Sequence, residues 1–471
     1  MNVMDSKWFL AVAGAITSLA IISAVPTAVA AQTSTAPTTA SNQVREDIAR
    51  PLSVADALNT ALQKSAAILK AKNDLEATYG LVVQTRAIAL PKLTAAGSYT
   101  YTEPTAIENF ASTHQPNQNW NAGFKIVQSI YEGGRLGAAI RAARLTKEQA
   151  LLQYQTVVSD TLLATRVAYY DVLLTAQQIV VNEASVNLLA KELEDQQRRY
   201  DAGTVPRFNV LRAEVSVANA RPALIRAKND YRIAKNNLSN LLGYNLPRDV
   251  WEDIPLQLTD QLTAEPYQVD LPSAIAQALE KRTELGALRK AEKLQDENLV
   301  NARSGYQPSA QVFTGYGWSN SRFSQSGATP AISDAISGWN AGAQLSWDIF
   351  DGFLTKGKVM QARAQREKAR TDLDDTSRQV ELQVRTAYST FVEAREVLDS
   401  QQKVQEQAEE ALRLARARAD AGTGTQLDVL NAETLLTQSR TTQIVALHDY
   451  SVARAKLERA IGQDTAERSG N

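Results

Sequence analysis

Two kinds of hydrophobic pattern alternate along this chain, and the first predicts long helices. Apolar or small residues recur in steps of four and three along 135–201 and 355–420, with no proline or glycine inside 138–202 or 358–421. Such a stripe is typical of helices that pack lengthwise on partners. At 1.5 Å per residue each helix is about 100 Å long. The seam of the second stretch consists of Val380, Val384, Ala387, Phe391, Ala394, Leu398, Ala408, Leu412, Ala415 and Ala419.

The second pattern is an alternation of apolar and polar residues. It predicts four strands, at about 93–103, 119–130, 309–319 and 339–349. Strands of about ten residues with one apolar face fit a membrane-spanning sheet whose other face meets a wet lumen. The alternation fits the half-buried sheet of a soluble protein equally well. Aromatic residues near the segment ends are typical of a girdle at the membrane interface: Tyr99, Tyr101, Trp120, Tyr316, Trp318, Trp339 and Trp347.

The order of these elements occurs twice. The tetrapeptide Trp-Asn-Ala-Gly at 120–123 recurs 219 residues later at 339–342, and other matches keep that offset or one of 217. A register held over more than a hundred residues predicts two copies of one structural unit. These structural repeats are 51–241 and 271–462, joined by a linker at 242–270.

Each repeat is predicted to contain a helix, two strands, a long helix and a shorter return helix. The first helices fall at about 52–89 and 271–304, and the return helices at 207–241 and 426–461. The fold class is therefore mainly α with a small β part. Tight turns at the ends of the long helices separate them from the return helices.

The N-terminus fits a secretory signal peptide over 1–30. Lys7 precedes an apolar run that Pro26 ends, and a small-x-small pattern follows at 28–30. A transmembrane anchor is the alternative, although the run barely reaches the length of a membrane span. Polar residues at 31–50 predict a flexible segment, and 463–471 a C-terminal tail.

Composition excludes several classes of function. Lys plus Arg number 50 and Asp plus Glu 51, so the balance argues against a nucleic-acid-binding protein. There is no cysteine, which removes thiol catalysis, zinc–thiolate sites and iron–sulfur clusters. The two histidines and the absence of catalytic motifs indicate no catalytic, metal or cofactor site.

Four strands are too few to close a barrel around a lumen, for which about eight are the practical minimum. Open sheet edges are not tolerated in lipid. If the strands cross a membrane, several chains must therefore share one barrel. Closure favours three copies, which together supply twelve strands and twelve helical columns.

At this point the chain resembles the TolC-like family of outer-membrane channels of efflux and type I secretion systems. The resemblance covers about 51–462 and rests on the twofold repeat, the strand pairs, the uninterrupted helices and the tip turns at 199–204 and 418–423. It implies a homotrimer in the bacterial outer membrane, with a twelve-stranded β-barrel and a twelve-helix periplasmic tunnel. It also implies an equatorial belt around 242–270, a periplasmic adaptor (membrane fusion protein), and an inner-membrane pump that is proton-driven or of the ABC type.

The resemblance further implies a periplasmic gate at the helical tips. Asp428 matches a position that forms a ring of negative charge in family members, whereas Asn431 and Asn209 replace possible aspartates. Positions that carry a locking Tyr and Arg in some members correspond to Ala419 and Gly424. The other interpretation of Asp428 is a residue that complements a helix dipole.

The exposed turns between the long and return helices are predicted to contact the adaptor, through Gly203, Thr204, Val205, Gly422, Thr423 and Thr425. The sequence thus predicts a passive trimeric exit channel for small compounds or secreted polypeptides. The alternative is a non-channel periplasmic coiled-coil scaffold or adaptor, which has no use for four amphipathic strands.

Overall fold

The computed structural model describes residues 50–103, 106, 116–244, 253–322 and 333–463. The predicted signal peptide 1–30, the polar segment up to residue 49, part of the linker (245–252) and the tail from residue 464 lie outside these residues.

Eight helices are present among the described residues. They are α1 (Val54–Lys64), α2 (Ala66–Arg86), α3 (Arg135–Asp201), α4 (Arg207–Leu241), α5 (Leu271–Lys281), α6 (Thr283–Arg303), α7 (Leu354–Asp420) and α8 (Gln426–Ile461). Both long helices, α3 and α7, have 67 residues. Their bounds and those of α4 and α8 agree with the sequence prediction within one residue. The helices of the second half follow those of the first at offsets of 217 or 219 residues.

The predicted single helices at 52–89 and 271–304 are wrong in one respect, because each is divided in two. Ser65 separates α1 from α2 and Arg282 separates α5 from α6, and both have extended backbone with ψ near 125°. The turns that end α4 and α8 pack directly against these breaks, at Gly243 and Gly462. The chain therefore opens each helix where another chain segment approaches its backbone.

The strands form one antiparallel sheet in the order β2–β3–β5–β6. Their bounds are β2 Lys92–Tyr101, β3 Gln118–Glu132, β5 Ser309–Arg322 and β6 Ser333–Ser346. The last strand begins six residues before its predicted start and ends three before its predicted end. Its pairing with β5 explains both differences, since Ser333 lies opposite Arg322 and Ser346 opposite Ser309, the two ends of β5.

The helices form four parallel columns in two tiers, with the tips of α3 and α7 at the far end from the sheet. In the tier next to the sheet the packing order is α2–α3–α6–α7, and in the tier toward the tips it is α4–α3–α8–α7. The predicted seam residues of α7 lie at these contacts: Val380, Val384, Phe391, Ala394, Ala408 and Leu412 are buried. At every level, one side of this layer ends on an element of the first half and the other side on an element of the second half.

A short segment from the linker straps the helices between the tiers. Strand β1 (Pro51–Leu52) pairs in parallel with β4 (Gln257–Leu258). The Tyr169 hydroxyl donates to the Leu52 carbonyl oxygen at 2.9 Å, and the buried Lys235 ammonium donates to the Ile254 carbonyl oxygen at 2.9 Å. In the part of the chain described, no helix is both long enough and apolar enough to span a membrane.

Candidate functional site

The two tip turns are built in the same way. Gly203 and Gly422 both have positive φ, 72° and 71°, and each ends a long helix in the left-handed conformation that favours glycine. The hydroxyl groups of Thr204 and Thr423 donate back to the Arg199 and Arg418 carbonyl oxygens, at 2.8 Å and 3.3 Å. The turns are thus closed by their own hydrogen bonds and present an exposed surface, in which only Val205 is half-buried.

Asp428 lies in the first turn of α8 and closes a capping box with Thr425. The Thr425 backbone N–H and hydroxyl donate to Asp428 Oδ2 at 2.9 Å and 2.7 Å. The Asp428 N–H in turn donates to Thr425 Oγ1 at 3.3 Å. These bonds, the backbone N–H first, hold the pKa of Asp428 below its usual range, so it is ionised at neutral pH. The structure thus gives Asp428 the helix-terminal role as well as a fixed charge.

The other two predicted gate residues lie on the same tips. Asn431 is exposed one turn beyond Asp428 on α8, and Asn209 is half-buried in the first turn of α4. The position that carries a locking arginine in some relatives is Gly424, and a Cβ atom there would lie 2.9 Å from the Arg418 Cβ. The tight turn therefore has no room for a side chain at 424 without a shift of the backbone.

A cluster of polar side chains that the sequence did not reveal joins the two tips. Gln196 of α3 donates to the Gln426 carbonyl oxygen at 2.9 Å, and Gln426 Nε2 donates to the carboxylate of Glu192. Closer to the turns, Arg199 Nη2 lies 3.3 Å from Asp420 Oδ1. All of these bonds join the α3–α4 hairpin to the α7–α8 hairpin, and no spacing along the chain indicates them.

One carboxyl group is buried just above this cluster. Glu433 of α8 is 2 % exposed and accepts a 2.9 Å bond from Arg416 of α7. Burial raises its pKa, and the bond from Arg416 opposes that rise only in part. The contact holds α7 against α8 and does not cross between the hairpins.

A second network of charges, also missed by the sequence, ties the two halves together between the tiers. Glu458 of α8 lies 2.6 Å from Arg166 of α3 and accepts a second bond from Arg454 at 3.1 Å. Arg459 binds Glu284 of α6 at 2.6 Å. Burial raises the pKa of Glu284, but hydrogen bonds from Arg282 and the charge of Arg459 outweigh it and lower the pKa to about 2.

The sheet has one apolar and one polar face, as the register shows. Tyr99 lies opposite Trp120, and Tyr316 lies between Phe124 and Trp339. One face therefore carries Tyr99, Tyr101, Trp120, Tyr316, Trp318 and Trp339, whereas the other carries mainly Ser, Thr, Asn, Gln and Gly. Trp347 lies just beyond β6, at the end of the sheet near the helices, and donates from Nε1 to the Tyr306 carbonyl oxygen at 3.2 Å.

The family follows from comparison with known proteins. A model of the family described as "Outer membrane efflux protein" matches residues 57–244 and again 274–463. The chain belongs to this outer membrane efflux protein family. As a member of it, the chain is an outer-membrane protein whose helical part lies in the periplasm.

Relatives and solved structures agree with this assignment. Outer membrane protein TolC of Escherichia coli is 24 % identical over 414 residues, which cover 86 % of this chain and 80 % of that protein. Outer membrane efflux protein BepC of Brucella suis is 32 % identical over 361 residues, 74 % of this chain and 73 % of that one. The crystal structure of VceC from Vibrio cholerae has the same fold, with a TM-score of 0.72 and 20 % identity, and covers 87 % of this chain and 96 % of that one.

Among the described residues, no group of three or more His, Asp or Glu side chains is arranged to hold a metal ion. His448 of α8 lies between Asp171 of α3, at 2.8 Å, and its neighbour Asp449, at 3.0 Å. It therefore joins α3 to α8 as part of the charged contacts between the halves.

Proposed function

We propose that three copies of this chain form one exit channel, a twelve-stranded barrel above a twelve-helix tunnel, for an efflux or type I secretion system. The observation that carries the proposal is the pair of unlike edges. Each level of the molecule is a four-column layer that ends on β2, α2 or α4 on one side and on β6 or α7 on the other. Unlike edges that meet head to tail produce a ring when the rotation closes.

Apolar stripes on both edges support this association. Near the tips, α4 exposes Phe208, Leu211, Val215 and Ile225. On the opposite edge, α7 exposes Val397, Val404 and Leu414. Counted from the tip turns at 1.5 Å per residue, both stripes lie within about 35 Å of the tips, so they are level with each other. A neighbouring copy is the partner that covers both, in the manner of a coiled-coil seam.

The faces of the sheet support a barrel in the outer membrane. The aromatic face suits lipid and its interfacial headgroups, and the Ser-, Asn- and Gln-rich face suits a wet lumen. The twofold repeat explains why one sheet contains two hairpins and one tunnel segment two helical hairpins. Transport is passive, since the energy comes from an inner-membrane pump that acts through a periplasmic adaptor on the exposed tip turns.

The proposal is tested on the mature protein extracted from native cells in detergent. We expect it in the outer-membrane fraction, with the mass of a trimer, and we expect it to conduct ions in planar bilayers. A monomer in the soluble periplasmic fraction would instead favour a scaffold protein. Chemical cross-linking in cells followed by mass spectrometry tests the partners: an adaptor and a proton-driven pump are expected for small-molecule efflux, and an ABC exporter for secretion.

A charge substitution at Asp428 tests the gate ring separately from the helix cap. In Asp428→Asn the side-chain oxygen still accepts the Thr425 N–H bond, whereas the charge is lost from all three copies. We expect the preference of the pore for cations over anions to fall several-fold, because a ring of negative charge in a narrow pore concentrates cations. The measurement is the reversal potential in a salt gradient.

The matched control is Thr425→Ala, which removes the capping hydroxyl but keeps the charge. Its cost is that of a lost cap, about 1 kcal/mol in the stability of the first turn of α8, and ion selectivity is expected to stay at the wild-type value. Equal selectivity in Asp428→Asn and the wild type would leave the residue with its capping role alone.

A further inference from the structure

The elbow between β6 and α7 is the most exposed apolar surface of the molecule. Ile349, Phe350 and Phe353 are 84 %, 75 % and 66 % exposed. Phe353 also has a φ of 69°, the only positive φ of a non-glycine residue in the described part of the chain. A left-handed conformation costs about 1–2 kcal/mol for a residue with a Cβ atom. An exposed phenylalanine held in this conformation points to a surface that contacts a partner.

The first half contains the same elbow, and there it is covered. The equivalent of Phe353 is Gly134, also left-handed with a φ of 87°, and a Cβ atom at Gly134 would lie 4.0 Å from Val300 of α6. The residue before it, Gly133, lies against Ser304 and Gln307. At Gly352, the counterpart of Gly133, an added Cβ atom meets no described atom within 4 Å. The first elbow is thus packed inside the chain and the second is open.

The offsets of 219 and 217 residues convert each contact of the first elbow into an expected contact of the second. The contact between Gly134 and Val300 becomes Phe353 against Val83, which lies on the open edge helix α2 and is exposed. The hydrogen bond of Tyr131 to Gln307 becomes Phe350 against Leu90, also exposed. A polar pair inside the chain thus corresponds to an apolar pair divided between the two open edges.

The strand register extends the same correspondence. Residues 128–132 of β3 pair only with β5, and the equivalent residues after Ser346 have no strand partner within the described chain. The pairing of Glu132 with Ser309 maps onto Asp351 opposite Lys92, two opposite charges. The pairings of Phe124 and Gln128 with β5 map onto Ala343 opposite Tyr99 and Trp347 opposite Ala95. Each large residue thus faces a small one.

We propose that the second elbow is a knob that docks on a neighbouring copy of this chain, with Phe353 against Val83 and Phe350 against Leu90, while 347–351 extend β6 along the neighbour's β2. The proposal rests on the ring of copies proposed above and assigns the residues that join them. It explains why a strained aromatic residue stands where the first half has glycine. It also explains why β6 ends earlier than β3 in a single chain.

The absence of native cysteine permits a direct test by disulfide cross-linking. The variant with Phe353→Cys and Val83→Cys is expected to form covalent dimers and trimers, and nothing larger, on a non-reducing gel after mild oxidation. The control variant combines Phe353→Cys with Val300→Cys. It should stay monomeric on the gel, because Val300 is already beside Gly134 of its own chain. A trimer in detergent that gives no Phe353–Val83 cross-link would overturn the docking but keep the ring, whereas a monomer would overturn both.

A swap experiment tests the apolar pair itself. Phe350→Tyr or Leu90→Gln alone leaves a buried polar group without its partner, and we expect the time for half of the trimer to dissociate in heated detergent to fall about tenfold. Together they recreate the Tyr131–Gln307 pair of the first half, and the dissociation time is expected to recover to within about threefold of the wild type. Two single effects that simply add in the double variant would contradict contact between these side chains.

Discussion

Gln426→Ala is expected to raise the open fraction of the channel in planar bilayers about tenfold. Gln426 accepts a hydrogen bond from Gln196 and donates one to the carboxylate of Glu192, and both partners belong to the other hairpin. A hydrogen bond to a charged group contributes about 1.5–3 kcal/mol. If the tips open by separation of the two hairpins, only the closed state has these bonds, and each 1.4 kcal/mol shifts the equilibrium about tenfold.

Two further variants separate the position of a bond from its strength. Arg199→Ala breaks the contact with Asp420, which also joins the hairpins, but both side chains are exposed. An exposed ion pair contributes about 0.2–1 kcal/mol, so at most a few-fold increase in open fraction is expected. Arg413→Ala removes an ion pair with Glu410 inside α7 and is expected to leave the gate unchanged. Equal open fractions in Gln426→Ala and Arg413→Ala would exclude the amide cluster from the lock.

The cluster also accounts for a difference from the family pattern. The positions that carry a locking tyrosine and arginine in some members are Ala419 and Gly424 here. In this chain Glu192, Gln196 and Gln426 supply contacts between the hairpins at the same end of the molecule. We infer that the lock has moved from the α7–α8 turn to the first residue of α8 and to the last three turns of α3.

The long-range features of the fold were predictable, because they depend on periodic patterns. The bounds of α3 and α7 follow from an uninterrupted seam, and the apolar face of the sheet follows from alternation that starts at Trp339. The breaks at Ser65 and Arg282 were not predictable. Neither residue is a glycine or proline, and the cause is the approach of a turn from a distant part of the chain.

The site was predictable only where its residues are neighbours in sequence. Thr425 and Asp428 are three residues apart at the start of a helix, which is the spacing of a capping box. Gln196 and Gln426 are 230 residues apart, and nothing in one sequence pairs them. The same holds for Arg166 and Glu458, 292 residues apart. Contacts between the halves depend on how the columns pack, so they emerge only from the three-dimensional structure.

The contact between Arg166 and Glu458 predicts the largest loss of stability. Glu458 is 5 % exposed and binds two arginines, Arg166 and Arg454, whose side chains are themselves largely buried. In Glu458→Ala both guanidinium groups lose their shared carboxylate in an environment with little water. Breaking a buried ion pair on one side costs about 3–5 kcal/mol, so we expect the free energy of unfolding to fall by that amount. Urea unfolding, followed by circular dichroism, measures it.

The repeat supplies a matched control for this variant. The counterpart of Arg166 in the second half is Arg385, which is exposed and binds Glu381 one turn away on α7. Glu381→Ala is expected to cost less than about 0.5 kcal/mol, since exposed pairs within one helix contribute little. Glu458→Gln keeps the shape and one acceptor, so it should lie between the two. If Glu458→Ala cost no more than Glu381→Ala, the contact would not hold α3 to α8, and the hairpins would lack a fixed support above the moving tips.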